Sequence, residues 1–493
     1  MKKNWLIALI FVINVVALHA QFITPGTGVT WDLDDLVSHS EGAVSLSGGE
    51  YFINDDLIIA TSDTIRIETN AIVRFLGGKL ITVNGVFQAL PPDSLFLTAA
   101  DTLNTYKSFR FEDSDASVLE HCIVEYGGGI DILYSDLLIQ DCIFRSNDKS
   151  NATGVIDLFF SSPTISGCGF YMNKGPAILS GANAQSSPFI RGNTMWRNNT
   201  ENTNMPQINL GTSSPGMPIV IKGNTIEGFY DKAGGIAVTT LAGGNLDCVI
   251  DSNVICNNRY GITVYGFDIN SVISGNVIYD NNIENLPMQG GSGINFWGGV
   301  SNASQVYGNE IYGNLWGITV TGDALPDMGK VEPDTINPGG NRIYGNGNLG
   351  TVYALYNNTP NNLNAENNYW GSYDLDSVEM VIFHYPDDET LGFVDYLPIM
   401  DSITTRVKDK VARVSAKVYP NPADSYIRVE KPGIFNSVGN LEIHVFDQGG
   451  MLAVDCRFER DPFPLDISGL IPGSYILVIT DGKNAVSTPF IKH

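Results

Sequence analysis

IDSNVICNNRYGITVYGFD (250–268), ISGNVIYDNN (273–282) and VYGNEIYGNLWGITV (306–320) are one phrase written three times. The phrase is an aliphatic residue, two small or polar residues, Asn, any residue, an aliphatic residue, an aromatic or polar one, and Asn again; two of the three go on to Gly-Ile-Thr-Val. Self-similarity of this kind marks an array of stacked units. Read outward, it gives ten copies, anchored at Cys122, Cys142, Cys168, Asn193, Asn224, Asn253, Asn276, Asn309, Asn341 and Asn367 and spaced by 20 to 33 residues.

Two residues after each anchor runs an apolar column that includes Phe144, Ile255, Ile278 and Ile311. Three residues before it runs another, Leu119 to Val306, which ends at Pro338 and Asn364. Five residues after it comes a polar column: Asn147, Asn173, Asn198, Asn258, Asn281, Asn314 and Asn346. Asn tolerates left-handed backbone, so it suits a tight corner. Corners repeated on paired strands stack their amides about 4.8 Å apart, close enough to hydrogen-bond up the column. Gly-Ile-Thr-Val alternates with period two, as a half-buried strand does. There is no Leu-x-x-Leu-x-Leu signature and no 3.6-residue period, so leucine-rich and helical repeats are excluded. The expected fold is all-β: a right-handed parallel β-helix of about 12–14 coils, N-terminally capped, followed by a small C-terminal β-sandwich.

The organisation expected along the 493 residues is a signal peptide over 1–20, an N-terminal cap and first coils over 21–118, coils and a closing segment over 119–400, a linker over 401–416, and a terminal domain over 417–493. Lys2 and Lys3, the apolar run from Trp5 to Leu18 and Ala20 have the make-up of a secretory leader, too short to span a bilayer comfortably. No transmembrane segment is expected after its cleavage. The cap, around Trp31 to Leu46, would shield an open strand edge. The insertion Gly322–Gly340 reads as a loop leaving the coil. Its acidic residues make calcium conceivable, but their spacing matches no calcium loop, so no cofactor and no metal site is expected. A net charge of −25 argues against a nucleic-acid partner. Export makes oxidation feasible, and cysteines on adjacent coils come within disulfide reach, which leaves a Cys142–Cys168 bridge open.

Two further passages carry family resemblances. NNYWGSYDLDSVEMVIFHYPDDETLGFVDYLPIM (367–400) is similar to the closing segment of secreted right-handed β-helix proteins, a resemblance that covers about residues 22–400. That family includes polysaccharide lyases, hydrolases and epimerases. Tyr419-Pro420-Asn421-Pro422, a strand ending in Asp447-Gln448-Gly449-Gly450, Leu470-Ile471-Pro472-Gly473-Ser474-Tyr475 and Ile491-Lys492 follow in the order found in the C-terminal sorting domain of the type IX secretion system. This resemblance implies a small β-sandwich handled by the type IX machinery and a protein placed on the outer-membrane surface or secreted.

Chemistry has two candidate faces. Three residues past the anchors stand Tyr171, Trp196, Tyr279, Tyr312, Tyr344 and Trp370, interrupted by Glu227 and Cys256. Period two turns them outward, where a row of aromatics offers polysaccharide a stacking surface. On the Gly-x-x-x strand the outward residues include Asp131, Asp157, Thr263, Asn295 and Thr319; Asp131 and Asp157 on successive coils would approach the carboxylate separation of retaining glycosidases. Against catalysis, there is no pectate-lyase-like calcium cluster with Arg and no polygalacturonase-like Asn-Thr-Asp, Asp-Asp and Arg-Ile-Lys set. Tyr265-Gly266-Phe267-Asp268 starts like a mannuronan epimerase motif, but Ile269 and Asn270 replace its Pro and His. Lys174, Arg191, Arg197 and Lys222 are cations that could neutralise a uronate. The reading is a non-catalytic surface protein that binds glycan or serves a structural, adhesive role; the alternative is a polysaccharide lyase, hydrolase or epimerase working along the outer groove.

Overall fold

The computed structural model describes residues 21–149, 153–331, 337–348, 350–400, 416–432, 435, 441–447, 452–458, 460–481 and 485–493. The expected signal peptide and all but Ala416 of the linker lie outside them. The chain forms two compact units, residues 1–401 and 402–493.

In the first unit each coil visits three sheets in turn. One coil runs Ile262–Gly266 in the first sheet, Ile269–Ser274 in the second and Val277–Tyr279 in the third, and the next begins at Ser292–Gly298 in the first again. Among the described residues the sheets hold 14, 11 and 13 strands, paired parallel apart from one opening hairpin, Val44–Ser47 with Glu50–Ile53. This is a right-handed parallel β-helix. Matching residues superpose: Ile255, Ile278 and Ile311 are partners on successive third-sheet strands, and all are fully buried. Burying each such side chain contributes roughly 1.5–3 kcal/mol, repeated on every coil.

The corner between second and third sheets carries the amide column. Asn193, Asn224, Asn253, Asn276, Asn309 and Asn341 each donate Nδ2 to the Oδ1 of the next, ending at Asn368, at 2.9 Å in every case. Each Oδ1 also accepts the preceding anchor's backbone N–H, as in Asn253 N to Asn276 Oδ1 at 2.9 Å. Cys168, Cys142 and Cys122 continue the same column, with Cys168 N donating to Asn193 Oδ1 at 2.8 Å and Cys122 N to Cys142 Sγ at 3.4 Å. The thiols are not bridged; they serve as small buried acceptors and donors, Cys142 to Leu119 O at 3.3 Å. A second amide column, Asn147 to Asn346, breaks where Phe229 occupies the Asn position. Gln207 fills the gap, accepting from Asn198 Nδ2 at 3.0 Å and donating to Asn258 Oδ1 at 3.1 Å.

Three expectations are corrected. The last rung is Asn368, not Asn367, so Trp370 falls two places after it, on the inward column, and is 2% exposed in the core. Ala365 correspondingly takes the inward place that the sequence frame gave to Asn364. The insertion does not leave the coil entirely: Gln305 pairs with Asp327, and Met328 stands buried where the frame offered Pro338. Residues 332–336 lie outside the described set.

Both ends are covered. The α-helix Leu33–His39, opened by a capping box between Asp32 and Asp35, lays Leu33 and Leu36 on the first coil's core. At the other end the short helix Leu375–Glu379 buries Val378, and Glu379 binds buried His384 Nε2 at 3.1 Å and the Tyr396 hydroxyl at 2.7 Å.

The second unit packs a three-stranded and a four-stranded antiparallel sheet on one core that includes Ile427, Val429, Ile443 and Leu477. Its motifs converge. Asn421 Oδ1 accepts the Ile491 N–H at 2.9 Å, Gly473 pairs with Lys492, and Tyr475 stacks on Phe490 at 5.5 Å while its hydroxyl donates to Ile471 O at 2.7 Å. Asp447 is described; Gln448 to Gly450 are not.

Candidate functional site

The third-sheet aromatics are in register as the sequence requires: Tyr171, Trp196, Glu227, Cys256, Tyr279, Tyr312 and Tyr344 are successive partners. Register is also what closes them. Tyr279 and Tyr312 stack at 5.2 Å and 6°, and Tyr312 and Tyr344 at 5.3 Å and 7°, so each ring covers its neighbour's face. The Tyr344 hydroxyl donates to Glu310 at 2.7 Å, and burial together with that bond pushes its pKa up to about 12. Trp196 has one face under the Arg197 guanidinium, 4.1 Å from the ring centroid, which is also 4.4 Å from the Phe229 ring. Tyr171 folds back over Gly169. Trp370 is in the core. The column presents ring edges and hydroxyls.

The first sheet differs. Its central outward column runs Arg110, Asp131, Asp157, Leu179, Asn209, Ala237, Thr263, Asn295, Thr319 and Tyr356, one residue per coil. From Asn209 onward this column is the floor of a groove of about 670 Å³, a volume typical of ligand sites. The floor is uncharged and, from Thr263 to Thr319, small and polar. Ser292 Oγ and Thr319 Oγ1 lie 2.9 Å apart, and Thr319 Oγ1 donates to Asn295 Oδ1 at 2.8 Å.

Aromatic rings rise beside this floor. Tyr265 and Trp297 are partners two residues beyond Thr263 and Asn295, with ring centroids 4.6 Å apart and tilted by 44°; Trp297 is 52% exposed. Behind them Gly266, Gly298 and Gly322 align. Gly298 has φ +158°, and a Cβ there would sit 1.7 Å from Gly266 O, so only glycine lets this wall pack so closely. Trp316 leans on Tyr356 at 5.0 Å and 48° and donates Nε1 to Pro287 O at 2.9 Å. Met288, 91% exposed, stands on the same loop. That loop is tied down by Arg259, which bonds Glu284, Asn204 Oδ1 and, at 2.8 Å, Gln289 O.

Sequence reasoning placed Thr263, Asn295 and Thr319 outward but missed Tyr265, Trp297, Trp316 and Tyr356. The signal was present: in Gly-Ile-Thr-Val-Tyr-Gly and Gly-Ile-Asn-Phe-Trp-Gly the fifth residue shares the face of the third.

Asp131 and Asp157 are partners on adjacent strands of this sheet, about 4.8 Å apart by strand spacing. Lys149 forms an ion pair with Asp131. Burial pushes the Asp157 carboxyl up to about 6; Lys149 opposes the rise and Asp131 adds to it. The pair lies four rungs from Thr263, about 19 Å along the column. Among the described residues no acidic side chain lines the groove. Of the candidate cations, Lys174 is held by Asp148 at 2.7 Å and Glu201 at 3.4 Å, Lys222 by Asp251 at 2.9 Å, and Arg197 by its two rings. Among the described residues no group of three or more His, Cys, Asp or Glu side chains is arranged to hold a metal ion.

Residues 417–493 match the family model of a secretion system C-terminal sorting domain, and residues 102–243 that of a right-handed β-helix region. No curated protein matches the chain in sequence. Among solved structures, the receptor-binding protein of bacteriophage Det7, a podoviral tailspike in a myovirus, aligns over 96% of this chain and 94% of its own with 9% identity and a TM-score of 0.28. Among the described residues no helix is long and apolar enough to cross a membrane.

Proposed function

From a chain that is an exported right-handed parallel β-helix protein with a type IX secretion sorting domain, placed at the cell surface or secreted, we propose a non-catalytic role: it binds a polysaccharide laid along the first-sheet groove. The observation that carries this reading is the groove itself. An extended trough of neutral hydroxyl and amide groups between aromatic rings, of which Trp297 is 52% exposed, suits a sugar chain, whose hydroxyls need hydrogen-bond partners and whose C–H faces favour the electron-rich face of Trp and Tyr. Among the described residues no carboxylate lines the groove, and the Asp/Glu pair that most glycoside hydrolases use is not among its lining.

Affinity electrophoresis of the full chain through gels containing individual polysaccharides tests the proposal. Retardation that weakens in Trp297→Ala, with the polysaccharide recovered unshortened, is expected. Unretarded migration in every gel would refute it.

A second reading rests on Asp131 and Asp157, whose juxtaposition and raised Asp157 pKa are what a general acid beside a second carboxylate requires. New reducing ends or unsaturated products, lost in Asp157→Asn, would establish it in place of the first.

A further inference from the structure

We infer that the groove selects uncharged glycans and rejects polyuronates, with Arg259 acting as the tie that holds the groove's wall. The inference rests on the glycan-binding reading above and adds the ligand's charge class.

Among the described residues the only charged side chain lining the groove is Arg259. Its guanidinium is already committed: Nε to Glu284, Nη1 to Asn204 Oδ1 and Nη2 to Gln289 O. The Arg259 and Glu284 side chains are 10% and 8% exposed, so the pair is closed to a ligand. A buried guanidinium stripped of its carboxylate partner would be costly, which fixes its role as structural. A carboxylate on every sugar would therefore be desolvated in the groove with no cation to receive it. The chain's net charge of −25 adds long-range repulsion of a polyanion. A polycationic amino-sugar polymer would be drawn to the surface at large but would find no carboxylate among the described residues of the groove. What remains is a neutral chain, hydrogen-bonded to groups such as Asn209, Asn295 and Thr319 and stacked on Trp297.

Calorimetric titration of the full chain with galactomannan and xyloglucan, with alginate and polygalacturonate, and with chitosan tests this at about 0.01 M and about 1 M salt, where screening differs most. The expected result is binding of a neutral polymer whose affinity changes less than about twofold with salt, and no polyuronate binding at either salt. Thr263→Lys, which puts an ammonium on the floor, should gain polyuronate affinity by at least about tenfold at low salt, erased at high salt. Wild-type protein that binds polyuronate as well as a neutral polymer, with the binding lost in Trp297→Ala, would overturn the charge assignment while leaving glycan binding standing. Failure to bind any of the five polymers would instead overturn the parent reading, and this one with it. The wild-type comparison decides the question even if Thr263→Lys does not fold, which circular dichroism would show.

Discussion

The two aromatic faces of the β-helix are built from the same kinds of residue and end up in opposite states. On the third sheet Tyr279, Tyr312 and Tyr344 occupy one register position on successive coils, so their rings fall on one another 5.2–5.3 Å apart and shut their own faces. On the first sheet the aromatics are spread over several rows. Tyr265 and Trp297 belong to one row, Tyr356 to another, and Trp316 to the start of its strand, so they flank small residues and leave a trough. Strict repetition makes core and ladder; interrupted repetition leaves the groove in which we propose that a ligand lies.

If that contrast is right, changes to repeated positions cost stability and changes to the groove cost binding. The largest effect should come from the core, where Phe144 and Phe170 stack at 4.9 Å and are fully buried. Phe170→Ala is expected to destabilise by about 3–5 kcal/mol, seen as a lower denaturation midpoint. Next comes Asn276→Ala. It removes the Oδ1 that accepts Asn253 N and Nδ2 and the donor that serves Ile250 O and Asn309 Oδ1, for about 2–3 kcal/mol. Either variant retaining wild-type stability would break the claim that the columns hold the rod together.

Asp157 sharpens the comparison through pH. Its folded pKa of about 6 lies above the ordinary value of 3.8, so between those values the native state holds more protons than the unfolded one. Its contribution to stability therefore falls as pH rises from about 4 to about 6. Denaturation midpoints of Asp157→Asn should lack this fall and exceed wild type at neutral pH.

Smaller still are the aromatic variants. Trp297→Ala should lose about 1 kcal/mol of glycan affinity, roughly fivefold, with the denaturation midpoint unmoved. Tyr312→Ala should show the reverse, losing about 1 kcal/mol of stability from two broken stacks and no affinity.

Much of the fold was legible because a β-helix writes its columns into the sequence at nearly fixed offsets. Asn253, Asn276 and Asn309 could be superposed on paper, and they superpose in space. Legibility failed where the offset slipped. One extra residue before Asn368 turned Trp370 from a surface aromatic into a core one. Met328 reached the core from an insertion that reads as loop, and Gln207 repaired a column from nine residues downstream. The site was harder than the fold. Periodicity says which side chains point outward, but not that the parallel rings of Tyr279, Tyr312 and Tyr344 cover one another while Tyr265 and Trp297, also register partners but tilted by 44°, leave Trp297 52% exposed beside a groove. Tyr265 and Trp297 lay in plain sight in the repeated phrase; their importance came from the small residues beside them.

The most direct test is a side-by-side titration of Trp297→Ala and Tyr312→Ala with whichever neutral polysaccharide the wild-type chain binds. Weakened binding by the first and wild-type binding by the second is the expected result. Intact binding in Trp297→Ala together with loss in Tyr312→Ala would move the site to the third sheet and contradict the account.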